Sequence, residues 1–348
     1  MKLLLISVKS ERSRGGIATW TRHFLANCEK QSIFCDLVNT DLVGRRALHE
    51  NAPRSFWAEL VRTCRIFRNL KHNLMACRYD AAHLNTSCGT FGLFRDYFIA
   101  KCIKKKGIRL VTHFHCDIPY WVNRPISCRC LRRLLAISDE NLVLCESSRL
   151  YLETKFGAMS RKMPNFLDDA MVRQEAKVIA DTVAVATFVG RVSEMKGAQE
   201  LYMLAKRLPF IEFRLVGDVS DSVNVWERPK NITLVGGLPH SKVLSEMDKA
   251  DIFIFPSHSE GFSLALTEAM ARGLPSIATD VGATADMLAG GCGTVVNKGD
   301  VDAMVAAIEC LADPAEREEM SRRAVEKVQK QYTTAIILEE LKGCYLAL

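Results

Sequence analysis

The chain has 348 residues, a length that favours two domains and excludes disulfide miniproteins and peptide hormones. With 48% hydrophobic and 25% charged residues, it has the composition of a folded globular protein, which excludes disordered and collagen-like classes. The net charge is uneven: residues 1–169 carry +13, with 28 Lys and Arg against 15 Asp and Glu, and residues 170–348 carry −6. A basic first half favours nucleic acid, an anionic membrane surface or an acidic small molecule as partner.

The cysteines and the first residues indicate where the chain resides. Ten of the 13 cysteines lie in the first half and none forms a C-x-x-C pair, so we expect reduced thiols and no metal site. The opening run MKLLLISV is too short for a secretory signal, and no apolar stretch reaches the roughly 18–20 residues that span a bilayer. The sequence predicts a cytoplasmic protein, in solution or peripheral on the inner face of the cytoplasmic membrane.

Short apolar runs rich in β-branched residues alternate with helical stretches along the chain. In order they are KLLLISV, FCDLVNT, DAAHLN, IRLVTHFH, NLVLCES, VAVATFVG, IEFRLVG, ITLVGG, DIFIFPS, PSIATD and GTVV. Such runs are typical of parallel strands that crossover helices cover on both faces. The sequence therefore predicts an α/β protein with two Rossmann-like, doubly wound domains facing each other across a cleft.

The alternation is interrupted near residues 164–182, which places the domain boundary there. We expect a first domain over residues 1–165 and a second over 166–331. The amphipathic last segment, about residues 332–348, is expected to pack back on the first domain. In sheets of this kind ligands gather at the carboxyl ends of the strands.

The most informative stretch is residues 251–283, DIFIFPSHSEGFSLALTEAMARGLPSIATDVGA. Glu260 follows a strand, and Ser263 is placed to cap a helix that carries Glu268. The free N–H groups at residues 261–265 would receive a phosphate. The two glutamates suit hydroxyl groups on either side of a diphosphate, namely those of a sugar and a ribose. Solvated helix acids are the alternative interpretation.

Two more turns point to the same ligand. In FVGRVSEMKG, Arg191 follows a strand and Lys196 lies five residues on, a spacing that suits a diphosphate unless the loop is merely a solvated basic one. Gly15 and Gly16, between the first strand and a helix, would let the backbone approach a ligand in the first domain.

Together, GR-x4-KG, SEGFSLALTEAMARGLP with its E-x7-E spacing, and TDVG resemble the retaining GT-B glycosyltransferases that use nucleotide-sugar donors. This family 4-like group includes sucrose synthases, phosphatidylinositol mannosyltransferases and bacterial polysaccharide enzymes. The resemblance is strong over residues 185–300 and weak before them. MPNFLD at 163–168 and LVLCES at 142–147 resemble further family motifs in the right order.

The resemblance implies roles for particular residues. Arg191 and Lys196 would bind the donor diphosphate, Glu268 the ribose and Glu260 the transferred sugar. His115 in VTHFHCD, in preference to His113, would lie at the sugar. The remaining donor contacts implied are Gly15, Gly16, Gly261, Phe262, Ser263 and Leu264. Glu260, His115, Arg191 and Lys196 form the expected catalytic set.

The implied activity is transfer of a hexose, with retention, from a nucleoside-diphosphate sugar to a saccharide or a polyprenyl-diphosphate-linked acceptor, in polysaccharide, lipopolysaccharide or capsule assembly. Neither a cofactor nor a metal ion is expected, because the Asp-x-Asp at 300–302 precedes a helical run where acids cap the N-terminus. The basic clusters Lys104–Lys106 and Arg129–Arg133 favour an anionic acceptor or an anionic membrane surface. The chain departs from the family at Ala283 and Asp286, where a Gly and a Glu are common.

Three alternatives stay open at this point. A nucleotide-sugar epimerase of the same fold would bind the same donor without an acceptor. A non-catalytic nucleic-acid binder would use the basic half, although aromatic residues are not interleaved with the cations there. An NAD enzyme is disfavoured because the first strand is not followed by the full G-x-G-x-x-G.

Overall fold

The structure, a computed structural model, describes residues 1–10, 15–42 and 56–346. The chain divides into two compact units, one of Met1–Asn165 with Thr334–Leu348 and one of Phe166–Thr333, here the first and second domains. Within the described residues, each domain has one parallel sheet of six strands with helices on its faces. The predicted pair of doubly wound α/β domains is confirmed.

The first domain has the strand order β2-β1-β3-β4-β5-β6. Its strands are β1 (Lys2–Ser7), β2 (Phe34–Asn39), β3 (Ala81–Thr86), β4 (Arg109–Phe114), β5 (Glu140–Val143) and β6 (Arg161–Lys162). Its first helices are α1 (Gly16–Asn27), α2 (Phe56–Ala76), α3 (Thr90–Lys104), α4 (Ile118–Trp121), α5 (Pro125–Ile137) and α6 (Glu146–Phe156). The two-residue strand β6 has no counterpart in the sequence prediction, because it is too short to show periodicity.

The second domain has the order β12-β11-β10-β7-β8-β9. Its strands are β7 (Val185–Val189), β8 (Glu212–Val216), β9 (Ile232–Gly236), β10 (Ile252–Phe255), β11 (Ser276–Thr279) and β12 (Thr294–Val296). Its helices are α7 (Ala198–Arg207), α8 (Asp221–Asn224), α9 (His240–Lys249), α10 (Leu264–Ala271), α11 (Thr284–Leu288), α12 (Val301–Cys310) and α13 (Pro314–Gln331). The strand order reverses between β7 and β10, so this pair marks the topological switch point, where such sheets bind ligands.

The last helix, α14 (Thr334–Leu346), belongs to the first domain. The Tyr345 hydroxyl lies 2.7 Å from Nδ1 of His83, and Nε of Arg109 donates to the carbonyl of Cys344 at 2.8 Å. Tyr345 is buried. The first domain is therefore built from two separate stretches of the chain.

Buried apolar strands hold each sheet between its helices. Leu3, Leu4, Leu5 and Ile6 of β1 are all fully buried, although successive side chains point to opposite faces. On one face, Leu4 and Ile6 share a core cluster with buried residues of α2, α3 and α5. Burial on both faces is why these strands have continuous apolar runs and no alternation.

One pair of cysteines corrects the expectation of reduced thiols. Cys88 and Cys116 form a disulfide, with Cα atoms 6.5 Å apart. The physical reason is that β3 and β4 are neighbours in the sheet, and each cysteine lies two residues beyond the end of its strand. The other cysteines are free thiols.

No helix among the described residues is long and apolar enough to cross a membrane.

Candidate functional site

The loops that follow β7 and β10 bring together two of the predicted residues. Lys196 and Glu260, 64 residues apart in sequence, form an ion pair between Nζ and Oε1. The Ser257 hydroxyl donates to the same carboxylate oxygen at 3.0 Å. A cation and an oriented carboxylate therefore stand side by side at the switch point of the second sheet.

Close backbone contact fixes the two loops against each other. The N–H of His258 donates to the carbonyl of Met195 at 3.0 Å. Gly197 has φ +83°, and a Cβ there would lie 2.2 Å from the carbonyl oxygen of Pro256. Only glycine allows both the left-handed backbone and this approach, which places Lys196 beside Glu260.

A second pair supports the same loop. Nε2 of His258 lies 2.8 Å from Oε1 of Glu200, a carboxylate of α7 that is almost fully buried. Sequence reasoning missed this pair. A signal for it exists, because Glu200 lies on the buried stripe of α7 beside Leu201 and Leu204.

Ser263 caps the helix that follows the turn. Its Oγ accepts from the N–H of Leu266 at 3.2 Å, and α10 begins at Leu264. Gly282 packs so closely that an added Cβ would lie 2.2 Å from the carbonyl oxygen of Glu260. The ring of Phe262 is buried against Tyr332, so Phe262 can offer a ligand its backbone but not its ring. The first turn of α10 has no acidic residue, which suits an anion.

Glu268 has a partner that the sequence did not indicate. Its Oε1 lies 2.8 Å from Nε2 of His240, the first residue of α9. Glu268 is 7% exposed, whereas the side chain of His240 is about half exposed. The histidine therefore orients the carboxylate of Glu268.

Arg191 follows β7 directly after Gly190 and is exposed. Its loop lies against the end of β8, because Val192 donates to the carbonyl of Asp218 at 2.9 Å. A Cβ on Gly217 would lie 2.0 Å from the carbonyl oxygen of Gly190. The geometry holds the backbone of Arg191 on the same edge of the sheet as Lys196.

The Asp-x-Asp sequence has a structural role. Asp300 caps α12 by accepting from the N–H of Ala303 at 2.9 Å, and Asp302 pairs with Arg207. Asp286 lies in α11. In the part of the chain that the structure describes, no group of three or more His, Cys, Asp or Glu residues is arranged to hold a metal ion.

Gly15 and Gly16 form the start of α1 in the first domain. Gly15 is its N-cap, and the N–H of Thr19 donates to the Gly15 carbonyl at 3.0 Å. Both glycines are exposed, and among the described residues a Cβ on Gly16 would meet nothing within 4 Å. Residues 11–14, which lead into this helix, lie outside the described residues.

Three histidines cluster around one tryptophan in the first domain. The rings of His83, His113 and His115 all lie within 6 Å of Trp20, and those of His113 and His115 are 4.0 Å apart. Asn85 joins two of them, since its Oδ1 lies 2.9 Å from Nε2 of both His83 and His115.

The structure separates the two histidines between which the sequence had to choose. His113 is fully buried, and its Nε2 donates to the carbonyl of Met163 at 3.0 Å. His115 lies one residue beyond β4 and is partly exposed. Burial, with a smaller effect of His83, lowers the pKa of His115 to about 3. A neutral imidazole suits a hydroxyl group better than a phosphate.

Comparison with known proteins assigns the second domain to a family. Residues 172–328 match the family model described as "Glycosyl transferases group 1". This domain is a group 1 glycosyltransferase domain. The resemblance inferred from the motifs is thereby confirmed for the second domain, which this family model covers almost completely.

Similarity to known proteins also extends over more of the chain than this domain. The "Capsular polysaccharide biosynthesis glycosyltransferase CapM" of Staphylococcus aureus is 27% identical over 280 residues, covering 74% of this chain and 73% of CapM. Sucrose-phosphate synthase from Thermosynechococcus elongatus has a TM-score of 0.78 at 18% identity, covering 99% and 98%. Anabaena Alr3699/HepE in complex with UDP-glucose has a TM-score of 0.75 at 16% identity, covering all of both chains. The expected GT-B fold is confirmed.

Proposed function

We propose that this chain is a glycosyltransferase that moves a hexose, with retention, from a nucleoside-diphosphate sugar to a saccharide or lipid-linked saccharide acceptor. Bacterial capsule, lipopolysaccharide or related polysaccharide assembly is the proposed setting, supported by the similarity to CapM. The observation that carries the proposal is the Lys196–Glu260 ion pair beside the start of α10. It combines a cation for phosphate with a carboxylate for hydroxyl groups, and the HepE structure that this chain resembles holds such a donor.

The donor diphosphate is assigned to Arg191, Lys196 and the N–H groups of residues 261–264. These groups concentrate positive charge where the leaving nucleoside diphosphate becomes more negative as the glycosidic bond breaks. Glu268, oriented by His240, is assigned to the ribose hydroxyls, and Glu260 to the hydroxyls of the transferred sugar. Each assignment matches charge with charge or acceptor with hydroxyl.

In the proposed reaction, the bond between the anomeric carbon and the diphosphate oxygen breaks. A bond from that carbon to an acceptor hydroxyl oxygen forms on the same face, so the configuration is retained. The hydroxyl proton passes to the departing phosphate oxygen. Protein cations and the helix start neutralise the leaving group, so the proposed mechanism requires no metal ion, and no carboxylate serves as a covalent nucleophile.

The first domain is assigned to the acceptor and to part of the donor. The backbone of Gly15 and Gly16, two exposed residues at the start of α1, is assigned to the phosphates. The neutral imidazole of His115 is assigned a hydroxyl of the transferred sugar. The net charge of +13 over residues 1–169 favours an anionic acceptor, such as a polyprenyl-diphosphate-linked saccharide, at the cytoplasmic side of a membrane.

A donor panel tests the proposal. The unfolding temperature is measured with a series of UDP-, GDP- and ADP-sugars, because a ligand that binds only the folded state raises it. We expect one class of nucleotide to raise it, and Lys196→Met to remove the rise. No rise with any donor would contradict the proposal, and conversion of the donor to an epimer without an acceptor would favour an epimerase.

A further inference from the structure

Three helical segments of the first domain begin at the same edge of its sheet. The strands are parallel, and α2, α3 and the α4–α5 pair each lead into the next strand, so their first turns lie at the carboxyl edge. α3 packs against both α2 and α5. The starts of α2, α3 and α5 therefore lie next to one another at this edge.

That part of the surface is aromatic. On α3, Phe91, Phe94 and Phe98 recur at helical spacing on the solvent side, and Phe91 is 79% exposed. Buried residues of α3 such as Leu93 and Ile99 face the core instead, so the phenylalanines are not needed to pack it. The exposed set, here the aromatic patch, consists of Phe91, Phe94, Phe98, Tyr120, Trp121 and Ile126.

Cations continue the same stripes toward the other ends of the helices. The solvent stripe of α3 runs on through Lys101 and continues to Lys105, just beyond the helix, and that of α5 runs from Ile126 through Arg129 and Arg133. At about 1.5 Å per residue, the first phenylalanine and the last lysine of the α3 stripe lie roughly 20 Å apart. The cationic band, as we name it, consists of Lys101, Lys105, Arg129, Arg132 and Arg133.

No carboxylate of these two helices reaches solvent. The sequence of α5 contains no acidic residue, and the one in α3, Asp96, is fully buried and paired with Arg95. Lys104, which the sequence placed in a basic cluster, instead pairs with Asp139 and is outside the band. Within the described residues, neither helix therefore places an exposed carboxylate beside the cations of the band.

We propose that the aromatic patch and the cationic band dock the first domain on a bilayer that contains anionic lipid. Aromatic side chains favour the interface between water and hydrocarbon, and Lys and Arg bind anionic headgroups. A nucleic acid fits less well, because aromatic and cationic side chains stand in separate zones and are not interleaved. The proposal deepens the proposed function by naming the surface where a lipid-linked acceptor would be met, but its observations are independent of catalysis.

Vesicle sedimentation of the full chain tests this docking. Vesicles of phosphatidylcholine with about one third phosphatidylglycerol should sediment the protein, and pure phosphatidylcholine should do so far less. We expect the triple variant F91S/F94S/F98S to bind about tenfold more weakly or worse. The matched control is Phe210→Ser, an equally exposed phenylalanine of the second domain, which should bind as the unaltered protein does.

Charge and insertion are tested separately. The double variant Lys101→Gln with Lys105→Gln should weaken binding most at low salt, because added salt screens the attraction between cations and lipid headgroups. The double variant Lys206→Gln with Lys230→Gln is the control and should not weaken binding. Brominated lipids should quench tryptophan fluorescence, and Trp121→Phe should reduce the quenching while Trp226→Phe leaves it unchanged.

Three outcomes would overturn the docking proposal. The first is that anionic vesicles do not sediment the unaltered protein, and the second is that the triple variant binds as tightly as the unaltered protein. The third is a change of oligomeric state in the triple variant without lipid, which would identify the aromatic patch as a protein interface. Donor binding without vesicles should be unchanged in the triple variant. Failure of the donor panel would therefore leave the sedimentation result intact, and the reverse also holds.

Discussion

Lys196 and Glu260 neutralise each other in the structure, although they are assigned to different parts of the donor. The pair holds both side chains at the switch point. A diphosphate would compete with Glu260 for the lysine, and a sugar hydroxyl would compete with the lysine for Glu260. The ion pair therefore keeps the site assembled for a ligand that carries both groups.

Replacing Lys196 by Met tests this assignment. The variant keeps the length of the side chain and loses its charge, so we expect the rate of sugar transfer to fall about 10²–10³-fold, the loss typical of one electrostatic contact to a leaving group. Lys206→Met, an exposed lysine at the far end of α7, is the control and should keep its rate. Similar rates in the two variants would show that Lys196 does not act on the diphosphate.

The sequence could predict the residues of this pair but not all of their supports. Arg191, Lys196 and Glu260 each follow an apolar run, so their place at the carboxyl edge is a consequence of strand order. The contacts of His258 with Glu200 and of His240 with Glu268 cross 58 and 28 residues of chain. These contacts depend on how the helices pack on the sheet, and local sequence patterns do not predict this packing.

At the level of elements, Gly197 fixes how closely the turn after β7 approaches the turn after β10. Gly236, at the end of β9, has a nearly identical φ of +81° but has open space where a Cβ would be. Comparing the two glycines therefore separates the effect of the left-handed backbone from the effect of the close contact with Pro256.

Alanine substitutions at both glycines should give different results. Each variant is strained by about 1–2 kcal/mol in the left-handed region. Only Gly197→Ala adds a collision with Pro256, so we expect it to lower the urea midpoint further and to raise KM for the donor. Equal losses of stability, with an unchanged KM in both variants, would mean that the contact between the turns does not position Lys196.

The elements themselves were largely predictable. β1, β7 and β10 are short, apolar and covered on both faces, which is why continuous runs revealed them. The disulfide of Cys88 and Cys116 was not, because it depends on β3 and β4 being neighbours. The exposed phenylalanines of α3 were also missed, since a helix with apolar residues on two sides lacks a clear period.

At the scale of the whole molecule, the histidine cluster around Trp20 connects the stability of the first domain to pH. Burial lowers the pKa of His83 to about 4 and that of His115 to about 3, and it holds the pKa of His113 well below its usual value. Unfolding returns all three to values near 6.5, so the unfolded chain binds more protons below that pH. The contribution of these histidines to the free energy of unfolding is therefore fully present above pH ~6.5. It is lost as the pH drops toward about 4.

Hydrogen exchange of peptides from β4, measured across urea series at pH about 7.5 and about 5.5, checks this dependence. We expect a decrease of at most about 1.4 kcal/mol per pH unit for each histidine. His83→Asn should lower the pH dependence, and His72→Asn, an exposed histidine of α2, should leave it unchanged. An unaltered slope in the His83 variant would assign the effect to other groups.

The return of α14 to the first domain sets an order of events during translation. The second domain is one uninterrupted stretch, Phe166–Thr333, and can settle as soon as it leaves the ribosome. The first domain emerges earlier, but His83 gains the hydroxyl of Tyr345 only when α14 has been synthesised. The part of the protein that is made first is thus the part that is finished last.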